Sequence, residues 1–349
     1  MSSYHNEIKM KTTFELREML KELPTFVTGY FRSITDQTEP LTRLGYARDL
    51  RIFFGYLYEE VRGFDDKPIK NYTETDIARV TKEDILGFME YVSYYIRREN
   101  PDIPLQNEAR GKSRKLAAVR TLFRYLYSGE KIPANPAELV HFPKLTAKTI
   151  TTLEVDEIAR LLDEVDSGEK LTPHQQRFHE HTKIRDAAMI TLLLGTGMRV
   201  SEMVGLDLHH IDFEICGLKV TRKGGDEMIL YFGDEVESAL KVYLAKREEI
   251  IPIPGHEDAV FLSLQNRRIS VRAVQNLVKK YASVVTHLKN ISPHKLRSTF
   301  GTQLYQESGD IYLVAEVLGH ADVNTTRKHY AKMDDTRRRQ AARAVRLRD

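Results

Sequence analysis

Residues 292–304, SPHKLRSTFGTQL, and residues 317–330, VLGHADVNTTRKHY, decide how this chain is read. Ser292 and Pro293 have the form of a helix start, with Ser at the N-cap and Pro in the first turn. The spacing then puts His294 and Arg297 one turn apart on one face, near the positive end of the helix dipole, a costly arrangement until an anion arrives. Taken alone, the same pattern also describes a capped surface helix. Val317-Leu318-Gly319-His320 closes an apolar helix predicted from Ile311 to Leu318, with Gly319 at C′ delivering His320 into a loop. His329 and Tyr330 follow ten residues later, on the basic stretch Thr326-Arg327-Lys328. A tyrosine on a helix is ordinarily a half-buried packing residue. With a pKa near ~10 it is also a poor nucleophile unless positive charge or a base assists it.

Two further segments upstream supply such charge. Residues 195–202, GTGMRVSE, place Arg199 after a tight glycine turn at the opening of a helix, where a guanidinium suits a phosphate through bidentate hydrogen bonds. Glu202 lies on the same helix face and could orient a neighbouring side chain, although Arg-x-x-Glu pairs are routine on helix surfaces. Lys223 sits in Lys223-Gly224-Gly225-Asp226, between two β-type runs, a good hairpin signal. A turn lysine is normally a solvated charge, yet a hairpin tip can reach into a groove and protonate a leaving 5′-oxygen. Cutting a DNA phosphodiester without a metal requires a nucleophile, cationic clamps on the non-bridging oxygens and an acid for the leaving oxygen. This half of the chain offers all three.

The 349 residues and 41% apolar content predict two domains with separate cores, at ~100–200 residues per domain. Met1 is followed by polar residues, and no run approaches the ~20 apolar residues of a membrane helix, so a soluble, cytoplasmic protein is expected. The single cysteine, Cys216, excludes an internal disulfide and a thiolate-rich metal centre, and reads as a small buried residue. Net charge is only +3, a weak argument for a polyanionic partner. Local clusters say more: Arg110, Lys112, Arg114 and Lys115; Lys144 and Lys148; Arg337, Arg338 and Arg339.

The first half reads as a small helical bundle. Apolar residues recur at helical spacing from Thr42 to Val61, from Lys82 to Arg98, and from Ser113 to Tyr127, the last interleaved with Arg114, Lys115, Arg120 and Arg124. Pro133, Pro136 and Pro143 break the pattern between 131 and 150, which marks a linker. The second half is mixed but mostly helical: a helix over Ile184–Leu194, a β region in short runs at Ile211–Ile215, Leu218–Thr221 and Met228–Phe232, then helices from Val271 to Val285 and from Pro293 onward. His174, His179 and His181 read as part of a polar loop rather than a metal site, since no ligand set at metal spacing accompanies them.

Read in order, Arg199, Lys223, His294-x-x-Arg297, His320 and Tyr330 resemble the active-site signature of the tyrosine recombinases, the phage integrase family that includes the Xer proteins. The three segments quoted above resemble that family's three conserved boxes closely and span most of the catalytic half, from residue 195 to residue 330. The resemblance implies a mainly α fold with a small antiparallel sheet in the catalytic domain, arranged as a two-domain C-shaped DNA clamp. It divides the chain into an N-terminal extension (1–35), a helical core-DNA-binding domain (36–142), a linker (143–152), a catalytic domain (153–333) and a basic, partner-docking tail (334–349). It implies Tyr330 as nucleophile, Arg199 and Arg297 as clamps on the phosphoryl oxygens, His294 and His320 as hydrogen-bonding and proton-transfer groups, Lys223 as general acid and Glu202 as support. Arg114, Lys115, Arg120, Lys144 and Lys148 become candidate contacts to double-stranded DNA bearing a specific core site. No metal or cofactor is implied. A homotetramer on two DNA sites, or a heterotetramer with a second recombinase, is the expected assembly, with no membrane partner. Similar chemistry on the same residues would serve a type IB topoisomerase, and the same scaffold would serve a catalytically silent DNA-binding protein.

Overall fold

Leu16, Leu23, Phe26, Val27, Tyr30 and Phe31 are buried in one core with Leu50, Phe53, Phe54 and Leu57, so the amino-terminal helices help build the first half of the molecule. The structure is a computed structural model that describes residues 3–97, 100–145, 151–222, 225–286, 288–319 and 323. The chain divides into two compact units, Ser3–Lys148 and Thr149–Asp349. Residues 146–150, within the expected linker, lie outside the described residues.

In the first unit, α1 (Ser3–Leu20) packs against α2 (Thr25–Ser33) and α3 (Pro40–Glu60), and the short α4 (Glu74–Ile77) adds Ile77 to the same core. Pro40 occupies the first turn of α3, where its missing N–H has no partner to lose. Next come α5 (Lys82–Tyr91), the antiparallel pair β1 (Tyr94–Arg97) and β2 (Asn100–Gln106), and α6 (Ala109–Ser128). Phe53 stands at the centre, edge-on to Phe88 with ring centroids 5.1 Å apart and to Phe123 at 6.2 Å. The helix expected over Lys82–Arg98 therefore ends early. A capping box between Thr81 and Asp84 starts it, but Tyr94, Tyr95 and Ile96 favour extended backbone, and Tyr95 is buried while its neighbours face outward.

The second unit is organised around α8 (Pro173–Thr196), which packs against α7 (Val155–Ser167), α10 (Asp234–Glu248) and α12 (Pro293–Ser308). Between α8 and α10 lie α9 (Val200–Val204) and an antiparallel sheet ordered β3 (Ile211–Asp212), β4 (Gly217–Thr221), β5 (Glu227–Tyr231). Two more helices, α11 (Val271–Val285) and α13 (Ile311–Leu318), complete the described part. Residues 174–181 form the start of α8 and not a loop, because Thr172 and Gln175 make a capping box around Pro173. His179 is buried there, its Nε2 2.8 Å from the Val165 carbonyl, an ordinary packed histidine.

One buried carboxylate ties α8 to α11. Asp186, 1% exposed, accepts from Tyr281 Oη at 2.9 Å, Thr182 Oγ1 at 2.9 Å, Arg185 Nη2 at 2.7 Å and Lys280 Nζ at 3.2 Å. Burial, together with this carboxylate, pushes the Tyr281 hydroxyl well above the usual tyrosine range. Removing the acid strands two cations and a phenol away from water. Asp186→Ala is therefore expected to destabilise the unit by about 3–5 kcal/mol, read as a fall in unfolding midpoint in urea. A loss under about 1 kcal/mol would mean that water replaces the carboxylate without penalty.

Candidate active site

The site is assembled where α8 ends. Gly197 takes a left-handed turn, φ +61°, and a Cβ there would lie 2.3 Å from Phe300 of α12 and 3.0 Å from Leu318 of α13. Only a residue without a side chain lets both helices approach the turn this closely. Met198 is buried behind it, and Arg199 then caps α9.

Glu202, buried in the first turn of α9, accepts from the Arg199 backbone N–H at 2.7 Å and from Arg199 Nη1 at 2.7 Å. It thus orients Arg199, as its spacing suggests. Arg199 Nη2 donates to the Gly319 carbonyl at 3.2 Å. Two of the five guanidinium donors are committed in this way, and the side chain stays 34% exposed, open to an incoming anion.

Arg297 is 4% exposed. Its Nη1 donates to the Gly197 carbonyl at 2.7 Å and its Nη2 to the Leu318 carbonyl. The helix that carries it starts with Ser292 at the N-cap and Pro293 in the first turn, although the Ser292 hydroxyl makes no capping bond. His294 is exposed in that first turn.

A third arginine joins the group. Arg222, in the β4–β5 loop, donates from Nη2 to the Val317 carbonyl at 2.7 Å and from Nη1 to the Glu316 carbonyl at 3.5 Å. Burial pulls its guanidinium below the ordinary arginine range, Glu202 opposes that shift, and Arg199 adds to it. The last carbonyls of α13, from Glu316 to Gly319, are therefore taken by three guanidinium groups, which complements the negative end of a helix dipole. Three cations against the Glu202 carboxylate leave the cluster positive, an arrangement suited to a phosphate. Arg222 does not stand out in the sequence, where a cation in a turn reads as solvated. The available signal was its place directly before Lys223.

Of the expected site residues, the structure brings Arg199, Glu202 and Arg297 together and puts His294 one turn from Arg297. Lys223, His320 and Tyr330 lie outside the described residues, as do Lys148 and the tail 334–349.

In the other unit, the α6 cations divide. Lys115 does not reach the surface: 3% exposed, its Nζ lies 3.7 Å from Asp49 and donates to Asn107 Oδ1 at 3.1 Å. Asp49 is itself buried, which raises its pKa, and Arg114 and Lys115 pull it back down. Arg114 contacts Asp49 at 2.5 Å but remains half-exposed. Arg120 stacks over Phe142, 4.8 Å from the ring centre, and Lys144 is exposed.

Among the described residues, Asp207, His209 and His210 offer ligand atoms within 4.8 Å of one another, close enough for a metal. Arg268 already pairs with Asp207, and His210 Nδ1 accepts from the Asp207 N–H at 3.0 Å, so two of the three serve the fold.

Comparison with known proteins matches residues 151–337 to the phage integrase family. The tyrosine recombinase XerC of Escherichia coli O157:H7 is 31% identical over 309 residues, 88% of this chain and 91% of XerC. Among solved structures, the XerH site-specific recombinase bound to its difH substrate in a pre-cleavage complex is 20% identical, with a TM-score of 0.62 over 90% of this chain and 81% of that one. A lambda integrase tetramer bound to a Holliday junction is 16% identical, with a TM-score of 0.61 over 89% and 79%. At these identities the two structures establish the shared fold.

Proposed function

Because the chain belongs to the phage integrase family and is a Xer-like tyrosine recombinase, an enzyme that breaks and rejoins DNA at specific sites, we propose that Tyr330 is its nucleophile. The topoisomerase and silent-binder alternatives find no support in these relatives. The observation that carries the assignment is the cluster of Arg199, Arg297 and Glu202 around the end of α13, one residue before His320.

The Tyr330 hydroxyl attacks the scissile phosphorus. A tyrosyl P–O bond forms, the P–O5′ bond breaks, and the departing 5′-oxygen takes a proton from Lys223. Arg199 and Arg297 hold the non-bridging oxygens as charge builds on them. His294 and His320 hydrogen-bond the phosphate and carry the tyrosine proton away. The phosphotyrosyl ester keeps the bond energy, so a 5′-hydroxyl of a partner strand rejoins the DNA by the reverse attack, without a nucleotide. Glu202 holds Arg199 in its forked orientation throughout.

In this reading residues 36–142 grip one side of the duplex and residues 153–333 carry the chemistry on the other, with 143–152 as the link. Arg114, Arg120, Lys144 and Lys148 contact phosphate, while Lys115 acts from behind through Asp49. The protein works on double-stranded DNA in the cytoplasm as a tetramer on two sites. Docking of the basic tail into a neighbouring subunit would hold that tetramer together. Deleting residues 336–349 is then expected to abolish pairing of two sites while leaving affinity for a single site unchanged, both read by gel shift. A parallel loss of single-site affinity would make the tail a DNA contact.

A nicked duplex carrying a binding site selected from random sequence tests the whole assignment. The severed strand diffuses away after attack, so the wild-type chain accumulates as a protein–DNA adduct stable to SDS. If no adduct forms on any bound site, the assignment fails.

A further inference from the structure

Arg222 joins two segments that each lead, one or a few residues on in the sequence, to a proposed catalytic group. It immediately precedes Lys223 in the β4–β5 loop, and its guanidinium crosses to the last turn of α13, one residue short of the turn that leads to His320. Gly319 shows how closely the two segments are fitted. A Cβ there would lie 1.1 Å from Arg222 Nη1, so the guanidinium occupies the space a side chain would need.

The loop is also fixed at its root. The Arg222 N–H donates to the Asp226 carbonyl at 2.7 Å, and the Gly225 N–H donates back to the Arg222 carbonyl at 3.0 Å. Arg222 is therefore held at its backbone by the loop and at its head by α13. The arrangement is not optimised for stability. The Nε is buried with no hydrogen-bond partner among the described residues, and the charge lies near Arg199. Unmet donors and close like charges are tolerated where function requires them.

We propose that Arg222 is a positioning residue: it fastens the root of the β4–β5 loop to the end of α13 and so supports proton delivery by the next residue in the chain, Lys223. Its role rests on the assignment of Lys223 as general acid. With Arg222 truncated, the loop keeps its hairpin bonds but loses its attachment to α13, and proton delivery from Lys223 slows.

Cleavage by the full chain is compared on two nicked duplexes, one ordinary and one with sulfur in place of the bridging 5′-oxygen. On the second, the tyrosyl P–O bond forms, the P–S bond breaks and a thiolate leaves. A thiol has a pKa near ~8.5, so this leaving group departs without an acid. Arg222→Ala is expected to slow the oxygen substrate roughly 10²-fold, the lower end of a general acid's contribution, and to cleave the sulfur substrate within about threefold of wild type. Lys223→Ala is expected to show the same pattern. Arg222→Gln retains an N–H donor for Val317 and should fall between; it serves as the test variant if Arg222→Ala does not fold. Wild-type rates for the Arg222 variants on oxygen, or equal slowing on both substrates while Lys223→Ala is rescued by sulfur, overturn the positioning role alone. Lys223→Ala left slow on sulfur overturns the Lys223 assignment, and the inference with it.

Discussion

Tyr330→Phe is expected to leave DNA binding intact and to abolish the covalent adduct. The change deletes one hydroxyl. If that oxygen is the nucleophile, no tyrosyl phosphate can form, and the cleavage rate falls by a factor on the order of 10⁴ or more, the scale seen when a covalent nucleophile is removed. Binding should change by less than about 1 kcal/mol, because a single hydroxyl to a solvated phosphate contributes little net affinity. The measurements are a gel shift for binding and SDS-resistant adduct on a nicked duplex for attack. An adduct that persists in Tyr330→Phe would mean that a different side chain attacks. The neighbouring His329 could in principle do so, and its phosphoramidate would be distinguishable by its lability to acid.

Arg297→Ala should have the second largest effect, and it should be felt twice. Arg297 is buried and donates to the Gly197 and Leu318 carbonyls, so truncation leaves two buried acceptors unmet and opens a cavity between α8, α12 and α13. A stability loss of about 2–4 kcal/mol follows from those terms. Loss of a guanidinium at the phosphate should lower the cleavage rate by roughly 10³-fold or more, as for other arginines that stabilise phosphoryl transfer. Arg297→Lys separates charge from geometry. An ammonium retains the charge but cannot place two N–H groups on two carbonyls in one plane, so it should recover part of the stability and little of the rate. Full recovery of the rate by lysine would show that charge alone matters at this position.

Much of the catalytic half was legible in the sequence because its signals are local. The helix end at Gly319, the helix start at Ser292-Pro293 and the antiparallel pairing of β4 with β5 each depend on backbone preferences of a few adjacent residues. The signature order of Arg199, His294 and Arg297 then pointed to a shared site, and the structure supplies the reason Arg199 and Arg297 meet: the missing side chain at Gly197. The less legible features depend on distant partners. Lys115 belongs to a basic run in the sequence, and only the buried Asp49, 66 residues away by number, turns it inward. Arg222 looks solvated until α13 is folded against its loop. The β1–β2 pair was hidden because Tyr94, Tyr95 and Ile96 continue an apolar pattern that a helix could also display. The segment 1–35 carries Leu16, Phe26 and Tyr30 into the first core, which becomes visible only once α3 and α6 are present to receive them.

The bonds that build the arginine cluster also span long stretches of chain. Arg297 reaches Gly197 across 100 residues and Arg199 reaches Gly319 across 120. Contacts of such sequence separation form late, after the loop entropy between them has been overcome. A nascent chain synthesised only as far as α12 therefore lacks the Leu318 and Gly319 carbonyls that orient two of its arginines. An enzyme that breaks and rejoins DNA thus gains its complete arginine cluster only after α13 has been made and folded.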